Sequence, residues 1–135
     1  MSKIAVVYYS GSGNTEAMAD VIVGACGADK LEADGFTAAK AGEYDAIAFG
    51  CPAMGDEVLE ETIFQPMWDD VKTALAGKKV ALFGSYGWGD GQWMRDWTED
   101  AQSAGIQLAC ESVICNEAPD DEANAALEAL AAALK

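Results

Sequence analysis

The sequence predicts an α/β fold, a doubly wound parallel sheet of five strands in the order 2-1-3-4-5 with helices on both faces. Along the 135 residues, short apolar runs alternate with segments of helical periodicity, which is typical of consecutive βα units. Two runs, residues 46–49 and 80–83, are apolar throughout, as expected of strands covered by helices on both faces. Five such units without a linker or an internal repeat predict one domain over residues 1–135.

The individual elements follow from this alternation. The second strand has the weakest pattern, so we expect it at an exposed edge of the sheet. The short segment 28–42 leaves the bounds of this strand and of the second helix open. The expected strands are about residues 3–8, 29–32, 46–49, 80–83 and 107–113, and the expected helices are about residues 15–25, 65–75, 92–104 and 121–134.

Composition excludes several classes of function. The chain has no histidine, so a Ser-His-Asp triad, a Cys-His pair and an imidazole proton relay are all impossible. The net charge of −15, from 23 acidic and 8 basic residues, disfavours nucleic acid and anionic membrane surfaces as partners, because both require a basic face. The same charge either keeps a small protein in solution or attracts basic partners, and the sequence leaves both interpretations open.

Cysteine usage and the apolar runs indicate the compartment. The four cysteines form no CxxC pair, so we expect reduced, mostly buried thiols and no metal site. No apolar run approaches the roughly 20 residues that a membrane-spanning helix needs. Residues 1–3 lead directly into a strand and do not resemble a secretory signal, which predicts a cytoplasmic protein.

Three unusual stretches follow the first, third and fourth strands, whose ends lie side by side in the predicted order, where doubly wound sheets bind ligands. We name them the first loop (residues 10–15), the second loop (residues 51–57) and the third loop (residues 85–91). Their candidate cofactor-binding residues are Ser10, Gly11, Ser12, Gly13, Asn14 and Thr15; Pro52, Ala53, Met54, Gly55, Asp56 and Glu57; and Ser85, Tyr86, Gly87, Trp88, Gly89 and Asp90.

The chemistry of the three loops is complementary. The first loop offers hydroxyls, an amide and backbone N–H groups before a helix, which suit a phosphate, and its lack of Lys and Arg suits a phosphate that stays bound. Met54 and Trp88 lie in glycine-rich backbone and suit the two faces of a planar ring, although each also fits a role in packing. Trp68, Trp93 and Trp97 are assigned to the core or its margin.

The loops resemble those of the flavodoxins, in particular the short-chain flavodoxins of anaerobic bacteria. The similarity is carried by Ser-Gly-Ser-Gly-Asn-Thr at 10–15, Met-Gly-Asp-Glu at 54–57 and Gly-Ser-Tyr-Gly-Trp-Gly-Asp-Gly at 84–91, and it extends over essentially the whole chain. It implies a flavodoxin-like three-layer sandwich with tightly, non-covalently bound flavin mononucleotide (FMN). It also implies one-electron transfer between semiquinone and hydroquinone, without catalytic residues or a metal.

The resemblance further implies roles for individual residues. The first loop would bind the phosphate, Met54 and Trp88 would flank the isoalloxazine ring, and Glu57 would accept a hydrogen bond from the flavin N3–H. After reduction, the peptide between Gly55 and Asp56 would reorient so that the Gly55 carbonyl accepts a bond from N5–H. The expected protein is a monomeric carrier that serves redox partner proteins with basic docking surfaces.

Acidic residues near the flavin would lower its potential. Asp56, Glu57, Glu60 and Asp90 would repel an anionic hydroquinone in a protein of net charge −15, whereas a neutral semiquinone escapes this repulsion. Alternatively, these acids are solvated and screened, so that stacking and desolvation of the flavin dominate.

Other proteins with a similar sheet match the loops less well. The acidic pair of a receiver domain, the arginine six positions after a phosphatase cysteine, the P-loop lysine and the third glycine of a dinucleotide-binding turn are all missing. The remaining alternative is an FMN-dependent quinone or NAD(P)H reductase on the same fold. The short chain argues against it, because little sequence is left to form a substrate site over the ring.

Overall fold

The computed structural model describes residues 3–11, 13–54, 58–87, 89 and 91–135. Strands and helices alternate through these residues. The strands are β1 (Ile4–Tyr8), β2 (Asp29–Glu32), β3 (Ala46–Gly50), β4 (Lys79–Tyr86) and β5 (Val113–Asn116). The helices are α1 (Asn14–Cys26), α2 (Ala38–Ala41), α3 (Phe64–Val71), α4 (Gln92–Ser103) and α5 (Asp121–Leu134), and a 3-10 turn (Lys72–Ala74) follows α3.

The five strands form one parallel sheet in the order β2-β1-β3-β4-β5, which confirms the predicted doubly wound fold. Successive side chains of a strand point to opposite faces of the sheet, so the apolar runs supply two cores. One core contains Phe49 and Leu82 and is covered by α3 and α4. The other contains Val6 and Ala48 and is covered by α1 and α5.

The tryptophans assigned to the core are buried, as predicted. Trp68, Trp93 and Trp97 expose 0%, 1% and 2% of their surface. The Trp97 ring makes edge-to-face contacts with Phe64 and Trp68, with ring centroids 5.3 and 5.6 Å apart. These contacts join α3 to α4, since such aromatic pairs stabilise beyond the area that they bury.

Strand β2 lies at one edge of the sheet and is largely exposed, which explains its weak apolar pattern. Helix α2 is a single turn of four residues, and the Thr37 side chain caps it by accepting a hydrogen bond from the Lys40 N–H at 3.2 Å. The short segment 28–42 therefore contains both β2 and α2, each four residues long.

The predicted bounds of the last two strands are wrong. β4 continues past Gly84 to Tyr86, because these residues pair with β5, although the sequence reads there as the start of a turn. β5 begins only at Val113, whereas the prediction placed it at 107–113. Leu108 forms one isolated bridge with Val80, while Val113 pairs with Phe83. Val113 is five positions after Leu108, but Phe83 is three after Val80, so two extra residues interrupt the pairing.

The four cysteines are free thiols, two of them buried (Cys51 and Cys115) and two half-buried (Cys26 and Cys110), so the expectation of mostly buried thiols holds for half of them. Within the described residues, no helix has both the length and the apolar character needed to cross a membrane.

Candidate functional site

The carboxyl ends of β1, β3 and β4 lie side by side, and hydrogen bonds continue past them into the loops. Tyr9 N–H donates to the Gly50 carbonyl at 2.9 Å, and Cys51 N–H donates to the Phe83 carbonyl at 3.2 Å. Ala53 N–H then donates to the Ser85 carbonyl at 3.0 Å. The start of the second loop is therefore joined to β4, and the three loops leave the sheet at one edge, as the predicted strand order requires.

Ser10 organises the first loop. Its hydroxyl oxygen accepts hydrogen bonds from the N–H groups of Gly13 at 3.0 Å and Glu16 at 3.2 Å. Gly13 precedes α1 with a φ of 95°, a left-handed conformation that glycine adopts without strain. Among the described residues, apart from chain neighbours, no atom lies within 4 Å of a Cβ position built at Gly11 or Gly13. The turn thus curls toward the first turn of α1 and leaves its glycine side open to a ligand.

Thr15 and Ser85 connect the first loop to the third. Their hydroxyl oxygens lie 3.3 Å apart, and the two residues expose only 1% and 3% of their surface. The sequence predicts both as cofactor-binding residues of separate loops. The structure brings them together as one buried pair, with Ser85 in strand β4 and Thr15 in the first turn of α1.

A charge cluster lies beside the start of α1. The Lys30 ammonium is 2.8 Å from carboxylate oxygens of both Glu16 and Asp20, and it lies 5.5 Å from the centre of the Tyr8 ring. Hydrogen bonding from Lys30 lowers the pKa of Glu16 below its usual value. Lys30 therefore offsets a negative charge in the first helical turn, where an anionic ligand would otherwise be repelled.

Two sets of hydrogen bonds join residues of the second loop to the residues that follow it. Met54 and Val58 form an antiparallel bridge, in which each N–H donates to the other's carbonyl at 2.9 and 3.0 Å. Below this bridge, the Glu60 N–H donates to the Cys51 sulfur at 3.4 Å. Met54 is half-buried at the edge of the sheet.

The Glu60 carboxylate caps helix α3. It accepts hydrogen bonds from the backbone N–H groups of Thr62, Ile63 and Phe64 at 2.7 to 2.9 Å and from the Thr62 hydroxyl. Burial alone would raise the pKa of Glu60, but these hydrogen bonds outweigh it and lower the pKa below the usual value. The carboxylate therefore caps α3, a role that the sequence analysis did not assign to it; the effect of its charge on a bound flavin stays a prediction.

The third loop leads from β4 into α4. Ser85 and Tyr86, predicted as loop residues, are the last two residues of β4. The Tyr86 ring is half-buried and lies 5.6 Å from the Trp93 ring, at an angle of 51°. Gly89 and Gly91 adopt left-handed conformations with φ of 86° and 93°, and Gly91 caps α4. These turns require glycine for conformational reasons alone.

The structure brings some of the predicted site residues together, and others lie outside the residues that it describes. It brings Ser10, Thr15 and Ser85 together with the start of the second loop, where Pro52, Ala53 and Met54 follow β3. Asn14 is the first residue of α1, and Gly87 is exposed just after β4. Six further candidates lie outside the described residues: Ser12, Gly55, Asp56, Glu57, Trp88 and Asp90.

Residues that support the loops from below are not evident in the sequence pattern. The Trp93 indole N–H donates to the Cys51 carbonyl at 3.1 Å, and Gly84 lies directly against the same carbonyl. Cys51 and Trp93 are 42 positions apart, so no local pattern points to their contact. The Gly at the end of an apolar run was the one available sign of a close backbone approach.

Comparison with known proteins agrees with this arrangement. The family model described as Flavodoxin matches residues 6–129. The flavodoxin of Megasphaera elsdenii is 42% identical over 123 residues, which cover 87% of this chain and 89% of that protein. The flavodoxin of Clostridium beijerinckii is 41% identical over 121 residues, covering 86% and 88%. The solution structure of two-electron reduced Megasphaera elsdenii flavodoxin matches at a TM-score of 0.85 and 40% identity, over 96% of this chain and 98% of that one.

These matches confirm the resemblance to short-chain flavodoxins that the loops suggest. Because the family model matches most of the chain, and two named relatives exceed 40% identity over most of their length, the chain belongs to the flavodoxin family, whose members carry electrons on FMN and work with redox partner proteins.

Proposed function

We propose that this flavodoxin is a low-potential one-electron carrier that binds FMN tightly and non-covalently and shuttles it between semiquinone and hydroquinone. The observation that carries the proposal is the convergence of a glycine-and-hydroxyl turn with the ends of β3 and β4 at one edge of the sheet. Bound FMN supplies reversible one-electron chemistry, and the chain supplies its binding and its electrostatic surroundings.

The described part of the first loop fits a phosphate. Ser10 Oγ accepts two backbone N–H groups, which leaves its own O–H proton to donate. Gly13, which precedes α1, makes no side-chain cap to the helix, although Ser10 Oγ accepts the Glu16 N–H of its first turn. Open space beside Gly11 and Gly13 admits the ligand. We assign phosphate binding to Ser10, Gly11, Ser12, Gly13, Asn14 and Thr15.

The second and third loops are assigned to the flavin ring. Met54 and Tyr86 lie half-buried where these segments leave the sheet, so both have a surface to offer a planar ligand. We propose Met54 and Trp88 for the two ring faces and Glu57 for the flavin N3–H. The other residues of the assignment are Pro52, Ala53, Gly55, Asp56, Ser85, Gly87, Gly89 and Asp90.

Charge supports the low potential and the choice of partners. With 23 acidic and 8 basic residues, the chain disfavours any added negative charge on the flavin and attracts basic surfaces. We therefore propose redox partners with basic docking surfaces, and a monomer as the diffusing species. The four free thiols support a reducing compartment, in keeping with the cytoplasm.

The phosphate assignment is tested by titrating the apoprotein with FMN and with riboflavin, which lacks the phosphate. We expect one FMN per chain, and riboflavin weaker by about 100-fold or more, because two charge-assisted hydrogen bonds of about 1.5 kcal/mol each would be lost. Equal affinities for FMN and riboflavin would contradict the assignment of phosphate binding to the first loop.

A second assay separates a carrier from a reductase. A carrier exchanges single electrons saturably with a basic redox protein, and this exchange weakens as salt screens the charges. Sustained NAD(P)H–quinone turnover by the isolated protein would instead favour the reductase. The named relatives are flavodoxins, which supports the carrier.

A further inference from the structure

We propose that Trp93 is a positioning residue, which acts through the Cys51 carbonyl to hold the second loop at a fixed distance from the third loop and thereby tunes the bound flavin. This inference rests on the proposed function, since it assumes that FMN binds between these loops. In this role, the buried Trp93 positions the second loop and does not itself bind the cofactor.

The hydrogen bond joins the base of one loop to the base of the other. Cys51 is the first residue after β3, and Trp93 is the second residue of α4, directly after the third loop. The indole N–H donates to the Cys51 carbonyl at 3.1 Å, and both residues are almost completely buried. Because a buried carbonyl has no water to replace a lost donor, this bond resists separation of the loops.

Strand β4 packs against the same carbonyl at Gly84. A Cβ atom at Gly84 would lie 2.2 Å from the Cys51 oxygen and 3.2 Å from the Trp93 ring. The Cys51 carbonyl is therefore held by a hydrogen bond from the indole and packs against the Gly84 backbone.

Cys51 also contacts the residues that follow the second loop. Its sulfur accepts the Glu60 N–H at 3.4 Å, so one residue holds both ends of segment 52–59. Burial raises the pKa of the Cys51 thiol to about 12, so the thiol stays neutral and the contact is independent of pH over the ordinary range. The Met54–Val58 bridge lies within the segment.

Trp97 offers a matched comparison on the same helix. It lies one turn after Trp93 and is 2% exposed. Among the described residues, however, its indole N–H has no hydrogen-bond partner. Replacing either tryptophan by Phe leaves a similar void, but only Trp93→Phe removes a hydrogen bond to the second loop.

The test compares Trp93→Phe with Trp97→Phe. In the apoprotein, we expect the Met54 and Val58 amide protons of Trp93→Phe to exchange about tenfold faster than in Trp97→Phe. In the FMN-loaded protein, we expect about tenfold weaker FMN binding, and a tenfold change in the equilibrium between the two one-electron steps, which is a shift of ~59 mV in their separation. Equal exchange rates and equal potentials in the two variants would overturn the proposal.

If Trp93→Phe does not fold, benzothienylalanine at position 93 decides the question, because sulfur replaces the N–H in a ring of nearly unchanged shape. The same replacement at position 97 is its control. Wild-type protein that fails to bind FMN would refute the proposed function. Amide exchange in the apoproteins would still report separately on whether Trp93 positions the loop.

Discussion

The side-chain oxygens of Thr15 and Ser85 lie 3.3 Å apart in the protein interior, although 70 positions separate the residues in the chain. Thr15, the last residue of the first loop, lies in the first turn of α1, and Ser85, the first residue of the third loop, lies near the end of β4. The pair therefore joins the proposed phosphate site to the proposed ring site. A hydroxyl that lost its partner here would have no water to replace it.

Thr15→Val should weaken both the fold and FMN binding, because it keeps the branched shape but leaves the Ser85 hydroxyl without its partner. We expect a loss of about 1–2 kcal/mol in the unfolding free energy of the apoprotein and about tenfold weaker FMN binding, measured by urea unfolding and fluorescence titration.

Thr98→Val is the matched control for this prediction. Its hydroxyl oxygen lies 3.1 Å from that of Ser112, in a pair between α4 and the segment before β5. A smaller loss of stability with unchanged FMN affinity is expected, because both residues of this pair are only half-buried. Equal losses of FMN affinity in the two variants would show that the Thr15–Ser85 pair has no special role in the site.

Lys30→Met should weaken FMN binding, because it leaves Glu16 uncompensated in the first turn of α1. We expect an effect of about threefold at low salt, which shrinks at high salt as charges are screened. Adding Glu16→Gln should restore the affinity. Lys40→Met, which removes an ion pair with Glu43 elsewhere, should not change it; if it does, net charge alone explains the effect.

Glu60→Gln should destabilise the protein by about 1–2 kcal/mol at neutral pH, because a neutral amide caps α3 less well than a carboxylate. The pKa of Glu60 is lowered in the folded state from an ordinary value of 4.5, so its contribution is complete above that value and is lost as the pH falls through the folded pKa. Unfolding at several pH values should show the two proteins converging below about 4.5. A difference in unfolding free energy between the two proteins that stays constant down to about pH 2 would contradict the capping role.

Gly84→Ala and Gly24→Ala should have opposite effects. A methyl group at Gly84 would meet the Cys51 oxygen, so we expect a loss of about 1–3 kcal/mol in thermal or urea unfolding. Gly24 lies within α1 with open space around its Cβ position, so alanine should stabilise the helix by about 0.5–1 kcal/mol. Tolerance of Gly84→Ala without loss would mean that the loop base adjusts freely.

Strand order, and with it the edge of the sheet from which the three loops leave, could be predicted from local patterns. The β1 and β3 runs are apolar because helices cover both sides of the sheet, and the first and second loops follow them. The end of β4 could not be predicted. Gly84 and Ser85 have the composition of a turn, and they continue the strand only because Ile114 and Cys115 lie beside them.

The contacts that connect the loops also could not be predicted from local sequence patterns. Trp93 was correctly assigned to the core from its spacing with Trp97, but the spacing does not show that its N–H reaches Cys51. The sequence suggests Ser10 as a donor to phosphate, whereas its oxygen also accepts the Gly13 and Glu16 amides. Such contacts depend on which strand ends the fold brings close together, and those strands are far apart in the sequence.

Stepwise reduction of the FMN-loaded protein, followed by its visible spectrum at controlled potential, tests the proposed carrier most directly. The account predicts two separate one-electron steps with a blue neutral radical between them, and a second potential below that of free FMN, since ~1.4 kcal/mol of repulsion lowers it by ~59 mV. A single two-electron step, or a second potential above that of free FMN, would contradict it.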